Sequence, residues 1–119
     1  MITGKCHCGA VSWVFPDTPD YAVKCNCSIC RRLGAAWIFG TADRVKVTGA
    51  DNTIAYIWGD RLIAFHTCRT CGTTTHYSSV EDPDKGRLAP NLRLADPSIA
   101  AKIPLRHFDG ADSWKFLDE

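Results

Sequence analysis

Residues 25–30 read Cys-Asn-Cys-Ser-Ile-Cys, three thiols within one short stretch of chain. Two further groups lie outside it: Cys6 and Cys8 in the C-H-C at 6–8, and Cys68 and Cys71 in the C-R-T-C at 68–71. Seven cysteines is an odd count, which argues against complete disulfide pairing. The N-terminus, MITGKCHCGAV, runs directly into polar and cysteine residues. It has neither the apolar stretch of a signal peptide nor a membrane span, so a cytoplasmic location is expected. In that reducing compartment, cysteines at this density bind metal or do redox chemistry more often than they form structural disulfides.

Zinc accepts four ligands in a tetrahedron, with Zn–S bonds of about 2.3 Å. The two outlying pairs complete one such set, so Cys6, Cys8, Cys68 and Cys71 are expected to form a closed, all-thiolate structural centre. Gly72, following the second pair, lets the turn bring backbone amides toward the sulfurs. This centre would clip the N-terminal strand to a strand pair near residue 68. The restriction on the unfolded chain grows slowly with the length of loop closed. Structural zinc in small peptides contributes on the order of 10–16 kcal/mol of apparent binding free energy.

Cys25, Cys27 and Cys30 then supply three ligands and leave one exchangeable position, the arrangement of a catalytic zinc. The expected cofactor is zinc, two ions per chain. Two other readings of the loop stay open. A histidine (His7, His66, His76 or His107) could complete it as a second structural site, or Cys27 and Cys30 could be a redox pair beside a spare thiol.

Working outward, short strand-like runs dominate. Val11–Phe15 places Val11, Trp13 and Phe15 on one face, and Arg44–Thr48 alternates about Val45 and Val47. A turn at 49–52 leads into Thr53–Trp58, which forms a hairpin across Gly59–Asp60 with Leu62–Thr67. Ala36–Phe39, Thr73–Ser78 and Asn91–Leu94 are further candidates, supported by β-branched and aromatic residues. Helix is scarce. One turn is expected from Ser28 through Arg32, and another from an Asp96 N-cap with Pro97 at the first helical position to about Lys102. Four prolines from Pro83 onward mark the last third as loop-rich. The fold class is all-β, one domain over residues 1–119. Its net charge is only +1, and no basic run exceeds the Arg31–Arg32 pair, so no footprint for nucleic acid is present.

The segments GKCHCGAV at 4–11, CNCSICRRLGA at 25–35, CRTCGT at 68–73, NLRLAD at 91–96 and HFDG at 107–110 occur in this order along the chain. In them the sequence resembles the glutathione-dependent formaldehyde-activating enzyme family, which includes centromere protein V-like proteins. The resemblance implies a zinc-stabilised β-tent of small antiparallel sheets and the same division of cysteines, four structural and three active. It also implies a carbon–sulfur lyase that joins formaldehyde and glutathione reversibly as S-hydroxymethylglutathione.

With a thiol substrate at the fourth position, coordination to zinc removes its proton without a separate base. Three thiolates make the centre electron-rich and a poor Lewis acid, so attack by the thiolate on a free aldehyde is expected. Arg31 and Arg32 are candidates for forked contacts to the carboxylates of glutathione, with charge balance for the cluster as the plainer role. Arg93 and Asn91 are weaker candidates for substrate contact. His66 and His107 are possible proton carriers or ordinary hydrogen-bonded residues, His7 points away from the metal in an extended C-x-C, and Trp37 and Phe39 are core or pocket wall. The expected partners are a small thiol and an aldehyde. Two other functions remain: a zinc-stabilised protein-binding module, and a thiol redox switch using Cys27 and Cys30.

Overall fold

Period-two alternation builds the first sheet. In the computed structural model, which describes residues 1–118, Val11, Trp13 and Phe15 are all buried, as the sequence pattern requires. Strand β1 (Ile2–Lys5) pairs antiparallel with β2 (Ser12–Phe15) and sets Gly4 opposite Trp13. A Cβ on Gly4 would come within 2.5 Å of the indole, so only glycine lets the ring lie across the strand. The far edge of β2 is taken by a short strand at Lys46–Thr48.

The next elements in the chain carry the three-cysteine segment. Strand β3 (Ala22–Cys25) is followed at once by helix α1 (Ser28–Leu33). Gly34, at φ 65°, ends the helix in the left-handed conformation that a side chain disfavours. After it come β4 (Gly40–Thr41), β5 (the Lys46–Thr48 strand already placed beside β2), β6 (Thr53–Ile57), β7 (Ile63–Cys68), β8 (Thr74–Ser79) and β9 (Arg87–Pro90). All but β5 form one antiparallel sheet in the order β4-β9-β8-β7-β6, with the expected β6–β7 hairpin at one edge. Helix α2 (Pro97–Ala100) starts where the sequence places it, with the Asp96 carboxylate accepting from the Ser98 N–H at 2.8 Å. Strand β10 (Leu105–Phe108) returns to pair with β3, and this two-stranded sheet is parallel, setting Phe108 beside Cys25.

The fold is thus mostly β with little helix, and its two larger sheets are antiparallel. Two strand expectations need correction. At Ala36–Phe39 only Trp37 makes ladder contacts, bridging Val23 on one side and Asn91 on the other. Asn91–Leu94 is a 3-10 turn over Leu92–Leu94 rather than a strand. The Asn91 side chain accepts the Arg93 N–H at 3.1 Å and so closes the backbone into a turn, while the strand lies just upstream as β9.

Two apolar centres fill the interior. One packs Ile2, Trp13, Phe15, Ile38 and Val45 beneath the first sheet. The other joins Trp37, Phe65, Tyr77 and Ala89 to Cys30, and it forms the floor beneath the cysteine loop. Trp37 and Tyr77 meet edge to face at 5.0 Å, a geometry aromatic pairs favour. Among the described residues no helix is long and apolar enough to cross a membrane.

Candidate metal centres

The first cysteine group is assembled by two tight turns. After β1, the Gly9 N–H donates to the Cys6 carbonyl at 3.0 Å, folding Cys6 and Cys8 onto one side. After β7, the Gly72 N–H donates to the Cys68 carbonyl at 2.9 Å and curls Cys71 back. Gly9 and Gly72 both have φ near +80°, the conformation each turn demands (φ 82° and 76°). The four sulfurs all lie within 4.8 Å of one another, and Cys8 Sγ is 3.7 Å from both Cys6 Sγ and Cys68 Sγ. Sulfurs bonded at about 2.3 Å to one tetrahedral ion sit about 3.8 Å apart, so the set fits a metal.

The surroundings favour thiolate. The Val11 N–H donates to Cys6 Sγ at 3.3 Å, and Asn52 Nδ2 donates to Cys68 Sγ at 3.6 Å. The Thr73 hydroxyl, with the N–H groups of Cys8 and Thr73, pulls the Cys71 thiol down to about 5. The Ala10 N–H acts the same way on Cys8, yet desolvation and the neighbouring thiols push it up to about 11. The cluster therefore invites negative charge but cannot gather four thiolates without a cation.

The second group is placed by a strand end and a helix start. Cys25 is the last residue of β3, Cys27 is the N-cap of α1, and Cys30 lies in its first turn. Their sulfurs lie within 4.8 Å of one another, and no ligand atom of a described His, Asp or Glu joins that cluster. The histidine-completed alternative thus finds no support in the geometry. The Cys27 N–H donates to Cys25 Sγ at 3.5 Å, the Cys30 N–H to Cys27 Sγ at 3.4 Å, and the Trp37 indole to Cys30 Sγ at 3.4 Å. Burial pushes Cys25 and Cys30 up. Cys27 goes down in spite of partial burial, because the Cys30 and Ile29 N–H groups and the adjoining thiols stabilise its charge. Thiolates of this kind, met by N–H donors, suit a soft or borderline cation.

All three cysteines line a cavity of about 590 Å³. Trp37, Phe39, Phe65 and Tyr77 line its floor, Trp58–Asp60 of the β6–β7 turn one side, and Phe108, Trp114 and Phe116 another. Its charged lining residues are Arg87 and Asp60. The Arg87 guanidinium stacks 4.7 Å from the Phe39 ring centre and engages the Tyr77 hydroxyl. Burial raises the Tyr77 phenol, keeping it protonated.

Other sequence candidates fall elsewhere. Arg31 and Arg32 are exposed and do not line the cavity, and Arg32 donates to the Ser28 carbonyl at 2.7 Å. Asn91 is buried as a structural bridge between Thr74 and Ala36, and Arg93 lies at a separate hollow beside α2. His7 is exposed, and His107 pairs with Asp118 at 3.2 Å. His66 and His76 stack on each other at 4.3 Å across β7 and β8. Arg87 and the aromatic rim were not singled out from the sequence. The available signal was a lone arginine opening the apolar Arg87–Pro90 run, which proves to be strand.

Mostly antiparallel β structure with two cysteine clusters, each able to hold a metal ion, defines the class of this protein. Within that class the chain belongs to the glutathione-dependent formaldehyde-activating enzyme family, whose model matches residues 1–93. It is similar to a Halomonas elongata protein assigned provisionally as a glutathione-dependent formaldehyde-activating enzyme. The two are 37% identical over 62 residues, covering 47% of this chain and 40% of the relative. The match thus spans about two-fifths of the curated relative's length. A crystal structure of a Rhodobacter sphaeroides protein is similar with a TM-score of 0.70 at 31% identity, covering 87% of this chain and 99% of the other.

Proposed function

We propose that the protein is a carbon–sulfur lyase that reversibly joins a glutathione-like thiol to a formaldehyde-like aldehyde over Cys25, Cys27 and Cys30. Zinc is the metal assigned to both clusters, since it favours all-thiolate sets. Held by the three sulfurs, it would supply an exchangeable position at which a substrate thiol loses its proton near neutral pH. Cys6, Cys8, Cys68 and Cys71 are assigned the structural ion.

The chain's own groups then have defined tasks. The N–H donors of Cys27, Cys30 and Trp37 hold the sulfurs in place and spread their charge. Arg87 is assigned a carboxylate of the thiol substrate, and Asp60 its ammonium. Tyr77 Oη, kept protonated by burial, is assigned the carbonyl oxygen of the aldehyde. The aromatic floor of Trp37, Phe39 and Phe65 keeps water from the cysteine loop, where it would otherwise compete for the carbonyl. In the forward direction the S–C bond forms, the C=O π bond becomes C–OH, and the thiol proton ends on that oxygen. Arg31 and Arg32, exposed in the last turn of α1, are assigned charge balance for the thiolates rather than substrate contact. A reducing compartment such as the cytoplasm would keep these thiols competent.

The observation that carries this reading is the gathering of three sulfurs, with no fourth side-chain ligand among the described residues, at the wall of a cavity. The test uses protein purified under reducing, metal-replete conditions, with adduct formation from glutathione and formaldehyde followed against the spontaneous rate. Cys27→Ala should abolish the acceleration while the fold and one metal ion per chain survive. A folded Cys27→Ala protein with unchanged turnover would remove the reading.

A further inference from the structure

The cavity has to take the thiol as well as the aldehyde, and part of its rim is built from chain beyond the family-matched residues 1–93. Phe108, Gly110, Trp114 and Phe116 all line it, and all follow β9 in sequence. This rim is a built feature. Asn26, between two of the loop cysteines, donates from Nδ2 to Asp109 Oδ1 at 3.0 Å and accepts the Ala111 N–H at 3.0 Å. The other Asp109 oxygen accepts the Ser113 N–H and hydroxyl at 3.1 and 2.8 Å. Asp109 and Trp114 close the loop, with the Trp114 N–H donating to the Asp109 carbonyl and the Asp109 N–H to that of Lys115. The loop is thus latched to the cysteine segment itself.

At this closure stands Trp114, 71% exposed and at φ 59°. A bulky residue in the left-handed region is a strained outlier, and such strain concentrates at ligand-contacting sites. Its ring packs edge to face on Phe108 at 5.1 Å, and Phe108 packs the same way on Phe116 at 5.1 Å. Trp58, 40% exposed, also lines the cavity from the β6–β7 turn.

We propose, resting on the reaction assigned above, that this rim selects an aldehyde with an aromatic or extended apolar body in place of formaldehyde. The body lies against Trp58, Phe108, Trp114 and Phe116 while the carbonyl reaches the cysteine floor. A two-heavy-atom aldehyde touches too little of this surface to use it, because apolar binding scales with the area removed from water. The chemistry is unchanged: the thiol sulfur bonds to the carbonyl carbon, and the thiol proton moves to the oxygen, giving a hemithioacetal. No oxidant or reductant enters.

The test compares phenylacetaldehyde with formaldehyde, glutathione being the thiol in both. Unreactive 2-phenylethanol serves as a binding probe read by tryptophan fluorescence. Trp114→Ala should lower kcat/KM for phenylacetaldehyde about tenfold, chiefly through KM, and weaken 2-phenylethanol to match, while formaldehyde changes less than about twofold. Trp58→Ala should act in the same direction from the opposite wall. Acceleration with formaldehyde but none with phenylacetaldehyde would overturn the inference and leave the proposed reaction standing. Equal losses for both aldehydes in Trp114→Ala would overturn it too, making the rim a general cover. Wall-dependent binding of 2-phenylethanol without turnover of any aldehyde would support the apolar ligand class and remove the reaction.

Discussion

The Trp37 indole N–H donates to Cys30 Sγ at 3.4 Å, fastening the most buried sulfur of the three-cysteine site to the ring that floors it. The same ring packs on Tyr77 and Phe65 and bridges Val23 to Asn91 through its backbone. One residue thus links the loop sulfurs to the five-stranded sheet.

Trp37→Phe keeps an aromatic body but deletes that donor. Groups that hydrogen-bond a metal ligand typically matter by about 10–100-fold in metal affinity. Chelator competition should therefore reveal one ion per chain released about tenfold more readily, with the other unaffected. Equal retention of both ions would show that the indole only fills space.

Gly110→Ala tests the contact between the rim and the sulfurs. A Cβ there would sit 2.6 Å from Cys25 Sγ and 3.3 Å from Cys27 Cβ, so one or both must move. The expected result is loss of one metal equivalent and of adduct formation, with far-UV circular dichroism close to wild type. Two tightly held ions in this variant would mean the loop yields without disturbing the site.

His76 gives a pH signature remote from substrate. Burial, reinforced by His66, brings its pKa down to about 3 from 6.5. Between those values the unfolded chain binds a proton that the folded one does not, so stability falls as pH drops below 6.5. Above 6.5 both states are neutral and the effect is absent. From pH 6.5 to 5.5 wild type should lose about 1 kcal/mol more than His76→Phe in denaturant melts. Parallel slopes for the two proteins would refute the assignment.

Much of the site was legible because its chemistry is local. Cys25, Cys27 and Cys30 fall within one turn of chain, and the glycines after Cys8 and Cys71 announce the turns that gather the other four. Trp13 and Phe15 declared their sheet by strict alternation, and Asp96–Pro97 declared its helix. What escaped was set by distant partners. β10 is a strand only because β3 accepts it, and its residues alternate between exposed and half-buried with no strong apolar signal. Asn91 looked like a strand residue until its side chain was seen to cap a turn and bridge Thr74 to Ala36. Arg31 and Arg32 stood beside the third cysteine in sequence, but a short helix carries their side chains outward. Arg87, remote in sequence, is the cation that reaches the cavity.

The parallel pairing of β3 with β10 sets Leu105 beside Ala22, residues far apart in the sequence. Contacts of such long range incur loop-closure entropy before any reward arrives, so they form late in folding. β10 also buries little, its residues alternating between exposed and half-buried, and segments of that kind open locally at low cost. An excursion that frees β10 would leave the thiols gathered by β3 and α1 while laying the chamber bare to water. Amide exchange of Leu105–Phe108 would then clock the traffic of reactants in and out.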